Sequence, residues 1–239
     1  MGKYWICICL AWGLGIGGCT PVQQYRYTEG KIYGTFYHIS YASDEDLKEE
    51  ILRQMESVNA SLSMFNPESV IARLNRNETD SVDRHIAFNL HLADSIGALS
   101  DGRYDVTVKP LVEAWGFAGR ERVENPNVDS ILEFVGREKV RVEGGRLVKD
   151  DPRVQLDFNS VAKGYTVDLL AGLVEKYGAE NYIVDIGGEV RCKGVNRQGD
   201  PWRIGIETPF DGNMSGRPEQ VKLIGRTGDP LRGSDMLRT

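Results

Sequence analysis

Apolar positions in the first half of the sequence recur every three or four residues, which is the period of an amphipathic helix. Three helices are predicted, with apolar positions Leu47, Ile51, Met55, Val58 and Leu62; Val70, Ile71 and Leu74; and Ile86, Leu90, Ala93 and Ile96. A capping box of Ser43 and Asp46 is predicted to begin the first helix, and Asn66-Pro67 to begin the second. The third helix is predicted to end near Gly102.

Strand patterns dominate the second half of the chain, although the first strand is predicted earlier, at residues 31–41. Hydrophobic alternation around Gly144-Gly145 predicts a hairpin over residues 139–149. Further strands are predicted at residues 153–158, at residues 182–186, after the Gly187-Gly188 turn, and around residues 202–206. A strongly apolar helix is predicted from Ser160 to Tyr177. Together these elements predict an α+β fold with a mixed, largely antiparallel sheet and packed helices.

The N-terminus predicts an exported lipoprotein. Lys3 precedes an uncharged, largely apolar run that is too short to span a bilayer, and two glycines come directly before Cys19. We predict a signal peptide at residues 1–18, lipidation of Cys19, and a tether at residues 19–30. The lipid would anchor the exported protein to a bacterial membrane without a transmembrane helix. An ordinary cleaved signal with a chance cysteine is the alternative.

Charge, cysteine content and missing motifs exclude several classes of function. The 239-residue chain has a formal net charge of −6, which argues against a nucleic-acid partner. Removal of the signal peptide and acylation of Cys19 would leave Cys192 as the one free thiol, so no internal disulfide is expected. Three histidines without an evident serine or cysteine partner give no support for a hydrolytic triad. Beyond the predicted signal peptide, the chain also lacks a GxGxxG or Walker loop.

A candidate phosphate site lies where a predicted strand meets a predicted helix. Asp157, Ser160 and Lys163 are three residues apart, so they would cluster around the first helical turn. A helix N-terminus offers free N–H groups and a positive dipole end to a phosphate, and Lys163 adds a cation. The alternative is an N-capping aspartate and a surface lysine, and spacing alone favours that alternative.

Two further clusters are weaker signals when each is taken alone. Residues 102–108 join a glycine turn to aromatic and acidic residues, and Trp115 and Phe117 follow; they could stack on a flat ring or be ordinary core aromatics. The Gly187-Gly188 turn could bring backbone close to a ligand, although a plain turn between strands is the commoner reading.

Taken in chain order, five stretches of the sequence resemble the ApbE family of FAD:protein FMN transferases. The resembling stretches are YGTFYHISY, SLSMFNPESVIARLN, DGRYDVTVKPLVEAWGF, LDFNSVAKGYTVDLLAGLVEKYGAENYIVDIGGEVRCKG and PWRIGIETP. The resemblance implies binding of FAD and Mg²⁺. It also implies transfer of the FMN half to a threonine hydroxyl of an acceptor flavoprotein in a membrane redox complex, with release of AMP.

The resemblance also assigns roles to individual residues. It implies FAD contacts for Tyr33, Phe65, Arg103, Tyr104, Asp105, Asp157 and Lys163, and an oxygen ligand to Mg²⁺ from Ser160. Tyr33 stands where the family often has Met, and Phe65 where it often has Tyr. Both replacements keep bulk suited to packing on flavin, and Phe65 lacks the hydroxyl.

The resemblance is expected to cover residues 31–209 and to fade after Pro209. Residues 210–239 are rich in Gly, Arg, Pro and Asp with little periodicity, so they predict a divergent, mostly disordered tail. The family's later His and Asp/Thr metal residues have no match there, so we expect a truncated product with an incomplete sheet and metal site. Three hypotheses stay open for this chain: an active transferase, a flavin-binding lipoprotein without transfer, and an inactive fragment.

Overall fold

The computed structural model describes residues 24–117, 121–207 and 218–219. In chain order the helices are α1 Lys48–Leu62, α2 Val70–Asn75, α3 Arg84–Leu99, α4 Lys109–Ala114, α5 Val128–Leu132 and α6 Ala162–Lys176. The strands are β1 Tyr25–Ile32, β2 Thr35–Ala42, β3 Val140–Glu143, β4 Arg146–Lys149, β5 Tyr182–Ile186, β6 Glu189–Lys193, β7 Ile206–Glu207 and β8 Pro218–Glu219. The predicted α+β class with largely antiparallel pairing is confirmed.

The main sheet has four antiparallel strands in the order β1-β2-β5-β6. β1 and β2 form a hairpin whose turn is Tyr33–Gly34, and both turn residues have positive φ, 53° and 74°. This pairing corrects two predictions. Residues 31–41 are not one strand, because the turn divides them. Residues 25–30 are not part of a tether, because their polar side chains belong to an edge strand whose outer face meets water.

One hydrophobic core lies between the inner face of this sheet and two helices. The sheet contributes Tyr37, Ile39, Tyr41, Tyr182, Val184 and Ile186, while α1 and α6 contribute Ile51, Met55, Val167, Leu170 and Val174. The period-2 burial of β5 and the helical spacing in α1 both point the apolar side chains into this layer. The apolar periods predicted for these elements are confirmed.

A second core joins α2, α3 and the β3–β4 hairpin to an extended segment at residues 153–158. Its members include Ile71, Leu74, Ile86, Leu90, Val140, Leu147, Val154, Leu156 and Phe158. The prediction of a strand at residues 153–158 is wrong. The segment forms one isolated parallel bridge, between Gln155 and Val108, and no ladder, so its remaining backbone groups depend on other partners.

Several helix boundaries differ from their predicted positions because local side-chain contacts compete with helix formation. The Ser43–Asp46 capping box is wrong: the Ser43 hydroxyl accepts the Glu45 N–H, and α1 starts later, at Lys48. Helix α2 begins at Val70 instead of at Asn66-Pro67, because the Ser69 hydroxyl caps it by accepting the Ala72 N–H.

The hairpin across Gly144–Gly145 and the β5–β6 turn at Gly187–Gly188 are confirmed. The strand predicted around residues 202–206 is reduced to Ile206–Glu207, which pairs with Pro218–Glu219. That pair lies partly within the predicted disordered tail, whose other residues fall outside the described ranges. The predicted signal peptide and Cys19 also fall outside them. Within the described residues, none of the helices has the length and apolar character needed to span a bilayer.

A buried histidine joins three helices. His85 on α3 is 2% exposed. Its Nε2 lies 2.9 Å from the Ser57 hydroxyl of α1, and its Nδ1 lies 2.7 Å from the Tyr165 hydroxyl of α6. The prediction that no histidine has a serine partner is therefore wrong for His85. The second ring nitrogen contacts a phenol and no carboxylate, so this contact is structural. Burial lowers the pKa of His85.

We expect His85→Gln to reduce the loss of stability on acidification. Because the folded-state pKa of His85 lies below its unfolded value, the unfolded chain binds the proton first, and stability falls as the pH drops through about 6.5. Urea unfolding at pH 7.5 and pH 5.5 measures the loss for each protein. The exposed His91 provides the control, since His91→Gln should retain the wild-type loss. Equal losses in all three proteins would contradict the prediction.

Candidate functional site

An open cleft of about 250 Å³ lies between the first hairpin turn, the end of α1 and the start of α6. It is lined by Tyr33, Val58, Asn59, Leu62, Ser63, Met64, Phe65, Asn159, Ala162, Lys163 and Thr166. Tyr33, Phe65 and Lys163 are three of the predicted site residues, and the fold brings them to one place from distant parts of the chain. The cleft is therefore the candidate site.

One wall of the cleft is apolar and aromatic. Tyr33 is half-buried, and its hydroxyl donates to the Met55 carbonyl at 2.6 Å, which fixes the ring against α1. Burial raises the pKa of Tyr33, so the phenol stays protonated. Phe65 is 76% exposed on the loop after α1. The Ser63 hydroxyl accepts the N–H groups of Phe65 and Asn66 at 3.3 and 3.2 Å, and so shapes that loop.

The opposite wall is polar and carries a cation. Lys163 lies in the first turn of α6, with its Nζ 3.5 Å from the Gly187 carbonyl and 3.9 Å from a Glu189 carboxylate oxygen. The N-terminus of α6 has no side-chain cap. The buried Asp157 carboxylate accepts the Asn159 N–H at 2.8 Å, just before the helix. This wall therefore offers a positive charge and a helix N-terminus.

A third segment borders the polar wall. The Tyr104 hydroxyl lies 2.9 Å from the Ser160 hydroxyl, and the Asp157 N–H donates to the Val106 carbonyl at 2.7 Å. These two contacts place the loop at residues 102–106 beside the entry to α6. The exposed hydroxyls of Tyr104 and Ser160 continue the polar surface away from the cleft.

Asp105 is oriented by its own loop. Its Oδ1 accepts both the backbone N–H and the side-chain hydroxyl of Thr107, each at 2.7 Å. The hydroxyl of the buried Thr107 in turn accepts the Gly136 N–H at 2.7 Å. One threonine thus connects the Asp105 carboxylate to the distant turn at Gly136.

The structure does not bring every predicted residue to the cleft. The Arg103 side chain is 81% exposed and lies against Asp101 and the Ser100 carbonyl. Helix α6 begins at Ala162, so Lys163 lies in its first turn while Asp157 and Ser160 precede the helix. The prediction that all three cluster around one helical turn is therefore wrong. The exposed Trp115 and Phe117 do not line this cleft.

The described residues do not by themselves fit a magnesium site. Among them, no group of three or more His, Cys, Asp or Glu side chains is placed to hold a metal ion. Ser160 offers one hydroxyl oxygen, which already contacts Tyr104. Mg²⁺ prefers six oxygen ligands in near-octahedral geometry. The magnesium ligand role of Ser160 stays a prediction.

Sequence reasoning missed Met64, Asn59 and Thr166 as cleft residues. Thr166 lies one helical turn after Lys163, and Asn59 lies one turn before the end of α1, so helical periodicity could have found both. No local pattern marks Met64, because it lies in the loop between α1 and α2 and the packing of both helices brings that loop to the cleft.

The fold matches that of solved flavin transferases. The structure of flavin transferase ApbE from Vibrio cholerae superimposes with a TM-score of 0.70 at 33% identity, covering 83% of this chain and 68% of that one. The apo flavinyl transferase ApbE of Pseudomonas stutzeri gives a TM-score of 0.69 at 28% identity, covering 77% and 66%. The ApbE family model matches residues 33–228. The chain belongs to the ApbE family.

Curated relatives are identical to this chain at about a third of the aligned positions. The FAD:protein FMN transferase of Vibrio cholerae is 36% identical over 220 residues, which are 87% of this chain and 66% of the relative. That of Haemophilus influenzae is 35% identical, over 84% and 64%. The chain thus spans slightly less than two thirds of these relatives. The family match also continues beyond Pro209, where the sequence analysis ended the resemblance.

We expect Thr107→Val to destabilise the protein by roughly 1–3 kcal/mol, because it leaves the Gly136 N–H without its acceptor and Asp105 without one donor. Denaturant unfolding measures this free energy. Thr107→Ser keeps the hydroxyl and should lie within about 1 kcal/mol of the wild type, since it removes one methyl group. A serine variant as unstable as the valine variant would show that the methyl group, and not the hydrogen bonds, matters.

Proposed function

We propose that this protein transfers the FMN half of FAD to a hydroxyl of an acceptor flavoprotein. The observation that carries the proposal is the cleft, in which an aromatic and apolar wall faces a lysine at an uncapped helix N-terminus. A flavin needs the first surface, and a pyrophosphate needs the second. The names of the relatives, FAD:protein FMN transferases, support the same reading.

The isoalloxazine ring fits the aromatic wall. Tyr33 and Phe65 present flat rings and Met64 a polarizable thioether, and such groups favour stacking on a planar heterocycle. The volume of about 250 Å³ is small for a whole dinucleotide, since sites for drug-sized ligands run from about 300 to 1,000 Å³. The cleft would therefore enclose the flavin end, with the adenylate end extending over the open side.

The phosphates would lie against the start of α6. The Lys163 ammonium and the positive end of the α6 dipole both favour negative charge. The Asp157 carboxylate repels phosphate but accepts hydrogen bonds, so we assign it to a hydroxyl of the substrate. The hydroxyls of Tyr104 and Ser160 follow on the same side and extend the polar surface toward the adenylate end.

The reaction is a displacement at phosphorus. The acceptor hydroxyl oxygen forms a bond to the phosphorus of the FMN half, and the P–O bond to the AMP phosphate breaks. AMP leaves with the bonding electron pair, and the proton of the acceptor hydroxyl is released to solvent. The described residues contribute positioning and charge neutralisation, which dominate such transfers. The threonine identity of the acceptor and its place in a membrane redox complex belong to the same proposal.

Two further features remain proposals. We propose that the transfer depends on Mg²⁺, with Ser160 as one ligand; the described residues add no cluster of three or more His, Cys, Asp or Glu side chains to that site. We also propose that the protein is exported and anchored through a lipid on Cys19, as the N-terminal pattern predicts.

We expect Lys163→Met to weaken FAD binding about tenfold or more, because a charged hydrogen bond to phosphate contributes roughly 1.5–3 kcal/mol. Isothermal titration calorimetry with FAD and with riboflavin measures the effect. Riboflavin has no phosphate, so its affinity should change by less than about twofold, within measurement scatter of a few tenths of a kcal/mol. Lys176→Met, at the opposite end of α6, is the matched control. An equal loss of affinity for both ligands would mean that Lys163 contacts the flavin ring and not the phosphates.

Mass spectrometry of an acceptor flavoprotein tests the proposed transfer directly. We expect the full chain, FAD and Mg²⁺ to add one FMN unit to the acceptor, and an acceptor with valine in place of its target threonine to gain nothing. Phe65→Ala should slow the transfer at limiting FAD, because it removes half of the aromatic wall. FAD binding without any mass gain would instead identify a flavin-binding protein that lacks transferase activity.

A further inference from the structure

One buried side-chain amide takes the place of a strand neighbour beside the candidate site. Asn75, the last residue of α2, is 6% exposed. Its Nδ2 donates to the Leu156 carbonyl at 2.9 Å, and its Oδ1 accepts the Leu156 N–H at 2.7 Å. The two residues are 81 positions apart in the chain. The amide therefore pairs with both backbone groups of Leu156 at once.

The backbone N–H and carbonyl of Leu156 are buried and have no strand ladder to pair with. The Leu156 side chain is 0% exposed, and the neighbouring Val154 and Phe158 are equally buried. The segment forms a single bridge at Gln155 and has no ladder. A buried N–H or carbonyl without a partner costs free energy comparable to a lost hydrogen bond. Asparagine offers a donor and an acceptor on one planar group, as a peptide bond does.

The contact lies next to the polar wall of the cleft. Asp157 follows Leu156 directly, and its N–H donates to the Val106 carbonyl of the loop that carries Tyr104. Asn159 and Lys163 come next along the chain and line the cleft. A shift at Leu156 would therefore move the start of α6 and the neighbouring loop together.

The same short helix also holds the aromatic wall. The Ser69 hydroxyl caps α2 and donates to the Ser63 carbonyl at 2.7 Å, at the base of the Phe65 loop. Helix α2 thus begins against one wall of the cleft and ends, through Asn75, against the other.

We propose that Asn75 is a positioning residue, which sets the distance between the aromatic wall at Phe65 and the polar wall at Asp157 and Lys163. This proposal rests on the proposed function, because the purpose of that distance is to place a flavin ring and its phosphates together. Asn75 does not touch the cleft itself, so it acts through Leu156. Misplacement by about 1 Å at such a site costs as much as a hundredfold in rate.

The test combines a structural and a functional measurement on the full chain. Asn75→Ala removes both hydrogen bonds, and Asn75→Asp keeps the size and an acceptor oxygen but has no donor. Hydrogen exchange without ligand should show the amides of residues 154–159 exchanging about tenfold faster in either variant. Calorimetry with FAD, well below the unfolding temperature of each variant, should show an affinity about tenfold weaker.

Asn77→Gly is the matched control. The exposed Asn77 side chain donates to the Pro152 carbonyl at 2.9 Å, just before this segment, and accepts a hydrogen bond from the Lys149 ammonium at 2.9 Å. Both contacts lie farther from Asp157 along the chain. Glycine tolerates the positive φ of 58° at Asn77. We expect FAD affinity and transfer rate within about twofold of the wild type, the scatter of a near-neutral surface change. If Asn75→Ala does not fold, Asn75→Asp provides the comparison.

The outcomes separate this proposal from the function on which it rests. Faster exchange with unchanged affinity and unchanged transfer at saturating FAD would overturn the positioning role. Unchanged exchange would overturn the contact itself. A wild-type protein that binds no flavin would overturn the proposed function and the positioning role with it, while the exchange data would still decide whether Asn75 holds Leu156.

Discussion

The antiparallel pairing of β2 with β5 is the constraint on which the rest of the structure depends. It joins residues 37–41 to residues 182–186, so the two ends of the domain share one sheet. Because β2 continues from the Tyr33 turn and β5 follows α6, this pairing places the aromatic residue beside the helix that carries Lys163. The α1 helix then packs on both and closes the first core. The cleft is a direct consequence of this long-range register.

The sequence predicted those elements whose stability comes from their own apolar period. The apolar positions from Leu47 to Leu62 follow the predicted helical spacing and are all buried. The glycine pair at 144–145 forms the predicted hairpin turn. The errors arise where the partner is distant. Residues 153–158 read as a strand because apolar and polar residues alternate there, yet the backbone of Leu156 pairs with a side chain from α2. Residues 25–30 read as a tether because an edge strand carries polar residues toward water.

The candidate site was predictable only in part, for a similar reason. The resemblance located Tyr33, Phe65 and Lys163, which line one cleft. It also located Asp157, which precedes α6 but is not among the residues that line the cleft. Spacing alone would have favoured a surface lysine, because nothing local shows that the Gly187 turn and the Phe65 loop meet at α6. Arg103 shows where the resemblance fails to locate a cleft residue. The family motif assigns this residue to FAD, but its side chain extends into solvent.

The turn at Tyr33 carries a further consequence. Its φ of 53° is left-handed, a conformation that costs a non-glycine residue roughly 1–2 kcal/mol. The phenol–carbonyl hydrogen bond to Met55 and the burial of the ring against α1 offset that cost. A glycine would suit the backbone better but would supply no ring to the cleft. Local conformational preference and the aromatic lining of the cleft are therefore opposed at Tyr33, where a strained backbone conformation carries the ring that forms part of the wall.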